Sequence, residues 1–136
     1  MTRKSIPDIG NIVKVEIGDS VTGMDNEIFG SCNNLRSVTI PGSVNAISNL
    51  AFWQCTNLTN VVINEGVKSI GVDSFFKCTG LTSFIIPSSV TSISKWSFSG
   101  CSGLTEVTFV GKTIEEVQSM PNYPWGLPTE IIHAGL

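Results

Sequence analysis

Leu35-Arg-Ser-Val-Thr-Ile-Pro-Gly-Ser-Val-Asn-Ala-Ile-Ser-Asn-Leu-Ala-Phe-Trp-Gln-Cys-Thr-Asn57 is one period of a repeat, and its recurrence decides the fold. Cys55 has counterparts at Cys32, Cys78 and Cys101, and Phe52 at Phe29, Phe75 and Phe98, every step being 23 residues. Leu35, Leu58, Leu81 and Leu104 keep that step, with Ile12 one period earlier. Val21, Val44, Val67 and Val90 form a further column, as do Met24, Ile47, Ile70 and Ile93. Several columns sharing one period are the signature of a repeat architecture, so the periodicity outranks local propensity. Four complete units follow, 12–34, 35–57, 58–80 and 81–103, with a lead-in at 1–11 and a closing unit at 104–136, all within a single domain.

Within a unit, the Val-x-Ile step alternates as a strand buried on one face does. Val38 and Ile40 are expected to point inward, with Ser37 and Thr39 outward. From Val44 to Phe52 the apolar residues stand three to five apart, which reads as a second edge followed by a helical or irregular turn. Asn34, Asn57, Gly80 and Gly103 precede each Leu; Asn and Gly tolerate positive φ, so each coil is expected to turn left-handed there. One coil cannot bury its own apolar face, whereas stacked coils turn each column into a continuous ladder. The fold class is therefore a right-handed repeat solenoid, with parallel strands on one face and turns or short helical segments on the other.

The unit resembles the BspA-type leucine-rich repeat, whose members carry the same pattern ending in Ala-Phe-x-x-Cys. The resemblance covers about 12–110, and the tail from Phe109 to Gly126 is similar to segments that close such arrays. Departures are few: Ile28, Ser74 and Ser97 stand where Ala51 does, and Phe84 replaces a valine.

Both ends need closing. Thr113-Ile-Glu-Glu116 is a capping-box pattern that starts a helix, with Ile114 and Val117 on one face over the end of the core and Pro121 stopping it. Leu127 keeps the period after Leu104, so Glu130–Ala134 reads as a last edge strand. Glu130 falls in an otherwise apolar column, and a register slip is expected there. Residues 1–11 lack the pattern and should form a short lead-in or fray.

Hydrophobic residues make up 41% and charged residues 14%, which excludes a disordered chain. The net charge is −3 and the eight basic residues are scattered, so nucleic-acid binding is not expected. No apolar run is long enough for a membrane span, and no apolar stretch follows the basic start Met1–Asp8, so neither membrane insertion nor a signal peptide is read. On that reading the protein is cytoplasmic or carried in a virion if the chain is whole, and at a cell surface if it is a piece of a larger adhesin.

The four cysteines lack metal-ligand spacing and a partner histidine, so they read as a ladder of buried thiols. His133, the single histidine, belongs to no nucleophile arrangement. Glu115 and Glu116 suit a helix N-terminus. Asn57-Leu-Thr59 is a glycosylation sequon, but Leu58 is a core position and Asn57 reads as a turn residue. No catalytic, cofactor-binding or metal site is expected, and an enzyme is disfavoured.

Columns that vary mark the surface. Outward strand positions pair Lys14 with Glu16, Ser37 with Thr39, Asn60 with Val62, Ser83 with Ile85 and Glu106 with Thr108. Val62 and Ile85 share one outward column, with Asn60 and Ser83 beside them; the family resemblance implies that this is the concave, ligand-facing side. A second candidate follows the buried Phe, where the column reads Gly30, Trp53, Phe76, Ser99. Adjacent coils should bring Trp53 and Phe76 together, with Leu50, Val72 and Trp96 nearby, as an exposed apolar patch or as residues folded over the coil edge. The reading is a non-enzymatic protein-binding module, for adhesion or recognition of a protein partner. The alternative is a small intracellular or phage-encoded protein, a structural component or an inhibitor of a host protein, which self-associates, for instance as a homodimer through the aromatics.

Overall fold

A computed structural model describes residues 1–135, and the chain forms a parallel β-solenoid. One face carries the longer strands: β1 (Lys14–Glu16), β2 (Ser37–Ile40), β4 (Asn60–Ile63), β6 (Ser83–Ile86) and β8 (Glu106–Val110). The other carries two-residue strands: β3 (Ala46–Ile47), β5 (Ser69–Ile70) and β7 (Ser92–Ile93). Pairing is parallel and follows the repeat, with Ser37 opposite Asn60 and Ile47 opposite Ile70. The alternation holds: Val38 and Ile40 are buried, while Ser37 and Thr39 face outward. Beyond each short strand the chain runs through turns, and among the described residues the one α-helix lies in the C-terminal cap.

The core is a set of ladders. Phe29, Phe52, Phe75 and Phe98 stack face to face, with ring centroids 5.4, 5.3 and 5.6 Å apart. Full burial of each ring contributes on the order of 2–3 kcal/mol, which makes this column the main tie between coils. The cysteine column is buried and unpaired by disulfides. Its members do more than fill space: Cys55, Cys78 and Cys101 each donate a hydrogen bond of 3.0 Å to the carbonyl of Phe29, Phe52 and Phe75, one coil back. Burial pushes the Cys55 and Cys101 thiols up to about 12, and pushes Cys78 and Cys32 up as well.

The expected left-handed residues are displaced. Asn34, Asn57, Gly80 and Gly103 do not adopt positive φ; that conformation falls on Glu27, Leu50, Asp73 and Trp96, and on Ser31, Gln54, Lys77 and Gly100. These two columns bracket the buried Phe, and two reversals per coil leave no room for a helix there. Asn and Gly are chosen before each Leu for contacts with the preceding coil. Asn34 and Asn57 donate side-chain hydrogen bonds to the carbonyls of Gly10 and Asn33. A Cβ on Gly80 or Gly103 would lie 2.8 or 2.6 Å from the carbonyl oxygen of Thr56 or Thr79.

The Ala51 column gives a test of polar burial. Ser74 and Ser97 are fully buried, but Ser97 Oγ has its one proton within reach of the carbonyls of Ser94 (2.6 Å) and Gly71 (2.9 Å), whereas Ser74 Oγ has no partner. An unsatisfied buried hydroxyl costs about 1–2 kcal/mol. Ser74→Ala is therefore expected to raise the urea midpoint and Ser97→Ala to lower it. Shifts of the same sign in both would contradict the assignment.

At the C-terminus, helix α1 (Ile114–Gln118) begins with the expected capping box, Thr113 and Glu116 satisfying each other's main-chain N–H groups. Val117 is buried over the last coil. Trp125 is almost fully buried, donates from Nε1 to the Pro121 carbonyl (2.7 Å) and lies 5.3 Å from the Phe109 ring. Strand β9 (Ile132–Gly135) pairs with β8 so that Ile132 faces Val107. The period would place Glu130 there, so the register slips by two residues, taken up by a 3₁₀ turn at Thr129–Ile131. A two-residue slip keeps alternation in phase, burying Ile132 instead of Glu130.

The N-terminal lead-in does not fray. Around the buried Phe of each coil, main-chain N–H groups donate to carbonyls of the next coil, so the first coil presents carbonyls there with no coil behind them. The Arg3 guanidinium meets them, lying 3.0–3.2 Å from the carbonyls of Glu27, Ile28 and Gly30. In the sequence Arg3 is one of eight scattered cations, and nothing in its neighbours announces this role.

Candidate functional site on the long-strand face

The two faces differ at one junction. On the short-strand face, pairing runs without a break through β3, β5 and β7. On the long-strand face, β1-β2-β4 and β6-β8-β9 are separate sheets, with no pairing between β4 and β6. The flanking hydrogen bonds are missing there too. Thr59 N donates to Arg36 O and Thr105 N to Thr82 O, both at 2.9 Å, but Thr82 N makes no such bond to Thr59. Asn64 N donates to Ile40 O, whereas its counterpart Pro87 has no N–H to give to Ile63. Coils three and four thus stay joined on one side and part on the other.

The opening is a cleft of about 240 Å³ lined by Thr59–Ile63 on one side and Ser83 and Ile85 on the other. It brings together four residues singled out from the sequence: Asn60, Val62, Ser83 and Ile85. Val62 is 41% and Ile85 61% exposed, so both present apolar surface at the rim. Val61 points inward yet is only half-buried, because the cleft reaches it. No charged side chain lines the cleft. The exposed Lys14 and Glu16 lie on β1, paired with each other at 2.9 Å. Just past the cleft, the Glu65 carboxylate accepts from Ser88 N and Oγ (both 2.8 Å) and Ser89 N (3.0 Å), which holds its pKa below the usual carboxylate range. That clamp fixes coil three to coil four at the end of the opening.

The other five candidates lie apart from the cleft and do not form one exposed patch. Trp53 is half-buried, its indole folded over Gly30, where a Cβ would have no room. Its Nε1 is buried without a hydrogen-bond partner. Phe76 is half-buried beneath the Lys77 ammonium, 5.2 Å from the ring centroid. Trp53 and Phe76 form no ring pair among the described residues, because the indole leans one coil back. Leu50 and Val72 are half-buried and joined by a main-chain hydrogen bond of 2.8 Å. Trp96 alone is well exposed, at 52%, on a left-handed backbone and under Lys95 at 4.6 Å. The glycine one period before Trp53 was the sequence signal for this folding-over.

Little in the described residues suits bond-making chemistry. His133 is exposed on β9 opposite Thr108, and no hydrogen bond among the described residues joins it to a hydroxyl, thiol or carboxylate. No group of three His, Cys, Asp or Glu residues there is placed to hold a metal ion. No helix among them is long and apolar enough to cross a membrane.

Stacked parallel coils with leucine, phenylalanine and cysteine ladders, and variable side chains on the long-strand face, define a leucine-rich-repeat scaffold. More narrowly, the chain belongs to the BspA-type leucine-rich repeat family, whose model matches in six copies over residues 6–121, beyond the four complete units on both sides. A leucine-rich cell surface protein from Faecalibacterium prausnitzii superposes with a TM-score of 0.77 at 26% identity, over 82% of this chain and 29% of that one. A leucine-rich repeat protein from Bacteroides capillosus does so with a TM-score of 0.64 at 28% identity, over 71% of this chain and 75% of that one. The pneumococcal vaccine antigen PcpA shares the fold, with a TM-score of 0.70 at 17% identity over 93% of this chain and 28% of that one. The chain thus spans less than a third of the first of these relatives. No curated protein matches it.

Proposed function

We propose that this chain is a non-enzymatic protein-recognition module that binds a protein partner through its long-strand face, centred on Val62 and Ile85, in the service of adhesion. The observation that carries the reading is the exposed apolar pair at the rim of the cleft, on a scaffold whose repeated phenylalanine, leucine and cysteine columns are buried. Apolar residues held rigidly beside an uncharged polar rim are the arrangement of an interface centre. The surface location of the Faecalibacterium relative supports adhesion as the setting.

The test is binding of the purified chain to a panel of immobilised extracellular-matrix proteins, with Val62→Glu/Ile85→Glu as the surface variant. Both side chains point away from the core, so thermal stability should hold while affinity for the bound partner falls by about 2 kcal/mol or more, roughly thirtyfold. Full binding by that variant, with loss on Trp96→Ser instead, would move the interface to the opposite side of the coil. Binding to none of the panel would count against adhesion.

A further inference from the structure

We infer that β1 is a self-complementary edge: a second copy of the chain pairs with it antiparallel, Lys14 opposite Glu16 of the second copy, about a twofold axis through Val15.

The edge is open. β1 is the first strand of the sheet β1-β2-β4, and among the described residues no strand pairs with its other side. Residues 1–11 close a different part of the same coil. The Met1 carbonyl accepts from Asp25 N (2.9 Å), Arg3 spans the carbonyls from Glu27 to Gly30, and the Gly10 carbonyl accepts from Asn34 Nδ2 (3.0 Å). These contacts follow the short-strand side and the turn, and none involves Lys14–Glu16. Val15 stands in the same inward column as the buried Val38 and Val107, yet it is only half-buried, and Val13 is 49% exposed.

The main chain sets the register. Val13 O accepts from Arg36 N (2.7 Å) and Ile17 N donates to Thr39 O (3.2 Å), so these two residues turn their groups to β2, as does Val15 between them. Alternation turns the groups of Lys14 and Glu16 to the open edge. In an antiparallel pair, two residues that face each other's strand and stand directly opposite exchange both N–H···O=C bonds. Centring the pair on Val15 puts Lys14 and Glu16 of one copy opposite Glu16 and Lys14 of the other, and both positions are of this bonding kind. The same register sets Val15 against Val15 and Val13 against Ile17 on the inward face, so apolar meets apolar.

Charge selects the occupant. The outward positions of β2, β4 and β6 are uncharged, and β1 alone among the long strands carries opposite charges two residues apart. Their side chains are 66% and 68% exposed and pair only with each other. Edge strands are commonly kept apart by like charge, lysine above all. A lysine and a glutamate two residues apart do the reverse, because an antiparallel copy meets each with its opposite. A parallel copy in register would set like against like. The twofold axis stands normal to the sheet, so both long-strand faces look the same way. On the proposed reading of that face the pair is bivalent toward an immobilised protein, although the pairing itself does not depend on that reading.

Sedimentation equilibrium of the full chain from about 10 µM to about 1 mM is expected to show a monomer–dimer equilibrium with a Kd on the order of 0.1 mM, as suits a short edge. Lys14→Glu and Glu16→Lys each set like charges opposite and should each weaken the dimer at least about tenfold. An equimolar mixture of these two variants should associate at least as tightly as wild type, since one strand then carries two acids and the other two bases. Lys14→Glu/Glu16→Lys, which reverses both charges, should dimerise like wild type. A wild type that stays monomeric to about 1 mM, or a dimer unmoved by either single variant, would overturn the inference. Weakening by the single variants with no recovery in the mixture or in the double variant would overturn it too, because the charges would then not be matched across the axis.

Discussion

Between neutral pH and about pH 10.5 the folded chain is expected to lose roughly 6 kcal/mol of stability to the titration of three cysteines. Cys55 and Cys101 are held up to about 12 by burial, and Cys78 is raised by the same cause, from an ordinary value of 9.0. The unfolded chain gives up these protons as pH passes about 9, while the folded chain keeps those of Cys55 and Cys101 until about 12 and holds that of Cys78 by the same burial. In that window the folded state binds more protons, so stability falls as pH rises; below about 9 the contribution is fully present. Each thiol lowers stability by about 1.4 kcal/mol per pH unit, hence roughly 2 kcal/mol at about pH 10.5. Three together approach the whole stability of many domains, on the order of 5–15 kcal/mol. Urea unfolding at a series of pH values reads the slope. Cys55→Ser is the control, because a hydroxyl can still donate to the Phe29 carbonyl but does not titrate in this range. It should flatten the alkaline limb by about 1.4 kcal/mol per pH unit. An identical slope in wild type and variant would remove the thiols as the cause.

What was legible in the sequence divides along physical lines. Columns that recur in every unit report requirements that every coil shares, so the phenylalanine, leucine and cysteine ladders and the strand alternation could be read without coordinates. The C-terminal slip was legible too, because Glu130 in an apolar column is an unpaid desolvation that two extra residues relieve. What escaped depends on relations between coils. Propensity puts the left-handed positions on Asn and Gly, yet they fall on Leu50, Trp96 and Gln54, where stacking dictates the backbone and residue type does not announce it. Thiol donation to a carbonyl one coil back is invisible when cysteine is counted as a small apolar group. The outward residues at the cleft can be named one by one from the sequence, but the cleft itself lies at a junction between coils, on the strand where Phe84 stands in a valine column.

That junction also sets how the array should break. In a repeat protein, stability is close to a sum of unit terms and nearest-neighbour interfaces, so the weakest interface decides whether unfolding stays in one step. Between coils three and four the long-strand ladder is absent. The ties that remain include the short-strand pairing of Ile70 with Ile93, the bonds from Phe75 N to Ser97 O (2.9 Å) and Lys77 N to Ser99 O (2.8 Å), the side-chain bonds from Cys101 to Phe75 O and Ser97 to Gly71 O, the Glu65 clamp, and the ring stack. Phe75 touches three rings, Phe52, Phe98 and Phe84. Phe75→Ala should therefore cost about 4–5 kcal/mol, the upper part of the range for a buried phenylalanine. It should also uncouple the two sides of the junction. Hydrogen exchange followed by mass spectrometry across a urea series is expected to show peptides from 12–57 and 81–135 losing protection at separate midpoints. Phe29→Ala is the matched comparison, because Phe29 is equally buried but stacks on one ring at the end of the ladder. It should cost about 3 kcal/mol and keep a single midpoint. Coincident midpoints in Phe75→Ala would mean that main-chain bonding on the short-strand face is enough to hold coils three and four together, and that the open junction is no weaker than its neighbours.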